Sequence, residues 1–198
     1  MKRVLFLFVL AVVALAPAAM ADAISLTNGG PAVVTAYAGT GSLAGATATI
    51  SWQLSGNVLT LTVTNTSSFS NTSLSGLAFN TTPDVNWSIA SQTGGISGWG
   101  KPGGAGGAGI MEVRTGNAGS CSSAGTLCNG ETGTISFTLK NFTGNLTIDA
   151  SSVHLQTSLG SIKPTGTTIT NTPEPASLFL MGTGLLGFGR MARKRFKK

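Results

Sequence analysis

Between residues 47 and 64 apolar and hydroxyl side chains alternate. Ala48, Ile50, Trp52 and Leu54 fall on one side of the chain, and Thr47, Thr49, Ser51 and Gln53 on the other. After Ser55-Gly56-Asn57 the same period returns, with Leu59, Leu61 and Val63 alternating with Thr60, Thr62 and Thr64. A period of two places successive side chains on opposite faces of a strand, so this stretch predicts a β-hairpin with one apolar and one hydroxyl face. Further strands are predicted over 23–27, 32–37, 74–80, 85–90, 110–115, 133–139, 145–149 and 153–157, separated by Gly, Asn, Ser and Pro. No stretch before residue 176 carries a convincing helical period. Many short strands with this punctuation predict an all-β domain, an antiparallel β-sandwich or a jelly-roll-like fold. Its core is expected around Trp52, Phe79, Trp87, Phe137 and Phe142.

Both ends break the pattern. Met1-Lys2-Arg3 is followed by an apolar run from Val4 to Leu15 and then by Ala19-Met20-Ala21. A positive start, an apolar middle and small residues at the cleavage positions predict a secretory signal peptide over 1–21, its helix removed by signal peptidase at Ala19 and Ala21. At the other end Pro173-Glu174-Pro175 precedes the uncharged segment 176–189, and Arg190, Arg193, Lys194, Arg195, Lys197 and Lys198 follow. As a helix that segment spans about 21 Å, short of a hydrocarbon core of about 30 Å. The long side chains of Arg190 and Arg193 extend its reach by snorkelling to the headgroups. Leu178, Phe179, Leu180, Met181, Leu185, Leu186 and Phe188 cover every helical face, which argues for a transmembrane helix over a buried amphipathic one. The basic tail 190–198 is expected to act as a stop-transfer signal on the cytoplasmic side. Three regions result: signal peptide 1–21, a secreted Ser/Thr/Gly-rich domain 22–171 and a C-terminal signal 172–198.

Pro173-Glu174-Pro175, the Leu- and Gly-rich apolar stretch and the terminal Arg/Lys cluster together resemble the PEP-CTERM sorting signal of Gram-negative bacteria. The resemblance covers about residues 172–198 and has all three parts in order. It implies recognition by an exosortase, a membrane cysteine transpeptidase, with the tail removed near Pro173-Glu174-Pro175. The protein is then anchored in the inner membrane before processing and transferred afterwards to the cell surface or an extracellular acceptor. Proteins with this tail tend to come from makers of exopolysaccharide, so a role in a biofilm matrix is implied; the tail has also been attached to ice-binding proteins.

Charge changes the reading of the domain between. The formal net charge is +6, with only 9% of residues charged. Most of the basic residues are terminal. Between 22 and 172 only Lys101, Arg114, Lys140 and Lys163 stand against Asp22, Asp84, Glu112, Glu131 and Asp149. A nucleic-acid partner is excluded, because it needs a basic face that this domain lacks.

Candidate chemistry is sparse. Cys121 and Cys128 are the only cysteines; an even count in an exported domain predicts a disulfide closing the turn between them. A zinc site fails for want of ligands, and no other metal or cofactor is expected. Gly104, Gly106 and Gly109 match a dinucleotide-binding spacing, but without the strand before and helix after that the chemistry requires. In the same Gly-rich segment, 94–109, Trp99 either stacks on a sugar or folds back as an apolar plug, the plug being favoured. His154 is the only histidine, predicted on a solvated strand face; a hydrolase would have to use it with Asp149 or Asp84. No G-x-S-x-G turn or carboxylate pair marks such a site, and no catalytic residue is assigned. Asn65, Asn71, Asn80, Asn86, Asn141 and Asn145 fit N-x-[ST], which an Asn/Ser/Thr-rich composition explains. The expected function is a non-enzymatic surface or matrix protein. The alternatives are an ice-binding protein, using a threonine row from Thr60 to Thr66, and a secreted hydrolase.

Overall fold

The computed structural model describes residues 23–101, 110–115, 121 and 125–168. The predicted signal helix with Ala19 and Ala21, the Pro173-Glu174-Pro175 segment, the transmembrane helix over 176–189 and the basic tail all lie outside them. Among the described residues no helix is long and apolar enough to cross a membrane.

The described residues form eleven strands in chain order: β1 (Ile24–Leu26), β2 (Val33–Ala38), β3 (Thr47–Ser55), β4 (Val58–Asn65), β5 (Ser73–Thr82), β6 (Asn86–Gly94), β7 (Ile110–Arg114), β8 (Thr132–Lys140), β9 (Leu146–Thr157), β10 (Gly160–Ile162) and β11 (Gly166–Thr168). They form two antiparallel sheets that share one core. The five-stranded sheet runs β1-β9-β5-β7, with β10 also paired to β9, and the six-stranded sheet runs β11-β2-β3-β4-β8-β6. The all-β, antiparallel expectation is therefore met.

The hairpin read from alternation is β3–β4, paired from Ala48 with Asn65 to Ser55 with Val58. Its turn needs a left-handed residue, and Gly56 supplies it at φ +61°, where a side chain would be strained. Ile50, Trp52, Leu59, Leu61 and Val63 are fully buried, as the alternation requires.

The two layers meet through aromatic edges. Phe79 of β5 packs edge-on against Trp52 of β3, with centroids 5.1 Å apart, and against Phe137 of β8 at 6.0 Å. Trp87 extends this row to Phe137 at 5.4 Å, although it is only partly buried. Edge-to-face pairs at these separations add about 0.5–1.5 kcal/mol each beyond area burial. Tyr37, absent from the expected core, is as buried as Trp52.

One boundary differs from expectation. The strands expected over 145–149 and 153–157 are a single strand, β9. Pairing with β5 passes from Asn80–Ala150 to Thr81–Ile148, so Asp149 is an extra, bulged residue. A bulge reverses the in–out phase. Ile148 is buried, Asp149 and Ala150 both face solvent, and Ser151 is buried again.

Candidate functional site

The outer face of the six-stranded sheet is a hydroxyl lattice. The register aligns Thr49, Thr64 and Thr132 in one row, Ser51, Thr62 and Thr134 in the next, and Gln53, Thr60 and Ser136 in a third. Hydroxyls touch across the strands: Thr60–Ser136 at 3.1 Å, Thr62–Thr134 at 3.4 Å, Thr64–Thr132 at 2.9 Å and Thr66–Thr47 at 3.0 Å. Strand geometry spaces the rows by about 6.8 Å along the chain and about 4.8 Å between strands. The array expected on one hairpin thus spans three strands. The alternation of Thr132, Thr134 and Ser136 with Gly133, Ile135 and Phe137 is the signal that could have extended the array, but the pairing of β8 with β4 is not written in it.

The outer face of the five-stranded sheet carries Glu112 and Arg114. Pairing places Arg114, Gly76 and His154 in one row across β7, β5 and β9, and Glu112, Ala78 and Ser152 in the next. These residues surround a cavity of about 70 Å³. Lys163 joins them because the segment after β10 folds back on β9: the Val153 amide donates to Pro164 O at 3.4 Å, and Thr165 bridges to Ser152.

His154 is half-buried at the edge of this cavity. Nδ1 lies 3.0 Å from Ser75 Oγ, and Nε2 lies 2.6 Å from Ser161 Oγ. Burial lowers its pKa, and the positive charges of Lys163 and Arg114 lower it further, so the imidazole is held neutral near pH 7. A neutral imidazole beside a hydroxyl can accept its proton. The acids expected to orient it are placed elsewhere: Asp149 accepts from Thr82 Oγ1 at 2.6 Å, and Asp84 lies between β5 and β6; neither lines the cavity. Both ring nitrogens meet hydroxyls, so the carboxylate-oriented histidine of a Ser-His-Asp triad is not assembled. Among the described residues no group of three or more His, Cys, Asp and Glu gathers to hold a metal.

Cys121 and Cys128, the pair expected to form a disulfide, stand as thiols in this structure. Cys121 Sγ turns to Thr72 O at 3.1 Å, while Cys128 Sγ donates to Cys121 O at 2.9 Å, so each sulfur is engaged by a carbonyl. Burial foremost, then the neighbouring Cys121 and the negative charge of Glu131, raise the Cys128 pKa to about 12.

Trp99 is the plug: it is 2% exposed, its indole N–H donates to Gly125 O, and its carbonyl accepts from Gln92. Asn65 is wholly buried, its amide donating to Thr72 O at 3.0 Å and Leu127 O at 2.9 Å, which closes it to glycosylation.

Comparison with curated proteins and with solved structures gives no match. A family model does match at the end of the chain, over residues 171–195, and its description is the PEP-CTERM protein-sorting motif. The match covers Pro173-Glu174-Pro175, the apolar stretch and the first four residues of the basic cluster. The chain therefore carries a PEP-CTERM sorting motif, the mark of an exported protein that an exosortase processes.

Proposed function

We propose that the protein is a non-enzymatic component of the cell surface or extracellular matrix, held in the inner membrane by residues 176–198 until exosortase removes them. Signal peptidase first releases residues 1–21, and the domain is then presented outside the cell, in contact with exopolysaccharide. The observation that carries this reading is the sorting motif at 171–195 joined to a domain faced with hydroxyls. A hydroxyl-covered, nearly uncharged sheet is compatible with a hydrated polysaccharide, since each Thr or Ser both donates and accepts. In this oxidising setting the two S–H bonds of Cys121 and Cys128 give way to one S–S bond, with two electrons and two protons passing to a thiol oxidant of the exporting compartment. Deleting the exosortase of the producing strain tests delivery. The expected result is accumulation of a heavier form in the inner membrane; an unchanged mass and surface location would contradict it.

One observation favours a second reading. The hydroxyl lattice covers three strands with a regular two-dimensional spacing, which suits binding to an ordered water surface such as ice. Thermal hysteresis of the purified protein, lost in Thr62→Val and Thr134→Val, supports this reading; its absence removes it.

A further inference from the structure

We propose that the depression between Arg114 and His154 on the five-stranded sheet is a subsite for the carboxylate of a uronic acid residue in an acidic polysaccharide. The inference rests on the matrix reading above and names the polymer chemistry that one face of the domain engages.

The depression follows from the strand pairing. Arg114 and His154 flank Gly76 in one row, so two strand spacings, about 9.6 Å, separate their backbones with no side chain between. A Cβ at Gly76 would lie 2.9 Å from Arg114 Cβ and 3.2 Å from Val113 O, which makes the glycine a spatial requirement of the site. In the neighbouring row Ala78 keeps the floor low between Glu112 and Ser152. The volume of about 70 Å³ admits a carboxylate but not a sugar ring, so the ring lies across the mouth.

Charge points to the same ligand. Only four basic residues occur between 22 and 172, and two of them, Arg114 and Lys163, line this one cavity. Neither forms an ion pair among the described residues, and both are exposed. Arg114 offers a planar fork matched to a carboxylate, and Lys163 a mobile point charge. Ser152 supplies a neutral hydroxyl beside them, and the imidazole of His154, its nitrogens held by Ser75 and Ser161, forms an uncharged wall. Glu112, on the next row, disfavours a second anion and accepts from sugar hydroxyls. The cavity opens on a sheet face, where a polymer can run across it.

Calorimetric titration of the exported protein with oligogalacturonate tests the subsite, with a neutral cello-oligosaccharide and inorganic phosphate as comparisons. Oligogalacturonate is expected to bind, to weaken at least tenfold in Arg114→Gln and in Lys163→Gln, and to weaken as salt rises from about 0.05 to 0.5 M. The neutral oligosaccharide is expected not to bind, and phosphate to bind more weakly. No oligogalacturonate binding, equal binding of the neutral sugar or of phosphate, or unchanged affinity in both variants overturns the proposal. Lys163 sits on an exposed segment, so its variant keeps the test valid if Arg114→Gln misfolds. A protein that reaches the surface through exosortase yet ignores oligogalacturonate removes the subsite alone. Uronate binding by a protein whose delivery is independent of exosortase removes the delivery reading alone.

Discussion

The phenol of Tyr37 on β2 donates to Ser151 Oγ on β9 at 2.8 Å, a buried hydrogen bond that ties the two sheets together. Behind it Trp52 Nε1 donates to Thr35 Oγ1 at 2.7 Å, and Thr35 Oγ1 donates to the Tyr37 oxygen at 3.1 Å. Three side chains of one sheet thus converge on a hydroxyl of the other. Such a chain is stabilising only while every member is satisfied. Tyr37→Phe removes the link and strands Ser151, while Thr35 keeps Trp52 and Ile50 O as partners, so we expect a loss of about 1–3 kcal/mol in urea denaturation.

The same tyrosine sets an alkaline limit. Burial raises its pKa, outweighing the opposing bonds to Ser151 and Thr35. The unfolded phenol ionises near pH 10. The stabilisation is therefore fully present below that pH and is lost as pH rises through the higher folded value. Stability profiles measured from pH 8 to 11 should fall less steeply in Tyr37→Phe than in the wild type.

Phe79 is the aromatic that both layers share. Phe79→Ala removes its contacts with Trp52 and Phe137 and leaves a cavity between the sheets, which should cost about 3–5 kcal/mol. Thermal unfolding of this variant beside Thr62→Val is informative. The latter, on the hydroxyl face, should stay within about 0.5 kcal/mol of the wild type.

His154 gives an acid-side signature. Its folded pKa is lowered by burial and by Lys163 and Arg114, while Glu112 lines the same cavity and Ser75 and Ser161 hold its ring nitrogens. The unfolded chain therefore binds the proton first, near pH 6.5. Stability should decrease as pH falls below that value and level off below the folded pKa. His154→Gln should flatten the profile between pH 7 and 5 in chemical denaturation. If this histidine served a hydrolase instead, the variant would abolish an activity that a broad substrate panel detects in the wild type.

The cysteines separate compartments. With its pKa raised, Cys128 carries little thiolate at neutral pH, and thiolate is the reactive form. Reduced, folded protein should react with iodoacetamide more slowly at Cys128 than the unfolded chain does. Exported protein should be lighter by two hydrogens than the same protein after reduction.

How much of this was legible in the sequence depended on how local the signal was. The β3–β4 hairpin could be read because apolar and polar residues alternate over 47–54 and again over 59–64, and Gly56 marks the turn. β9 was read as two strands because the bulge at Asp149 breaks the alternation there. β10 and β11, three residues each, are too short to carry a period, so the return of Lys163 beside β9 was invisible. The charged depression was illegible for a stronger reason. Glu112 and Arg114 reach His154 only because β5 lies between β7 and β9, a non-local pairing that no spacing along the chain encodes. The sorting signal was the opposite case, a contiguous tripartite pattern that the family model matches over residues 171–195.

Exosortase processing is tested most directly by the intact mass of the protein recovered from the surface of the producing cells. We expect a chain that begins at Asp22 and ends close to Pro173-Glu174-Pro175, joined to its acceptor or released without it. A surface form that still contains residues 176–198 would contradict the account.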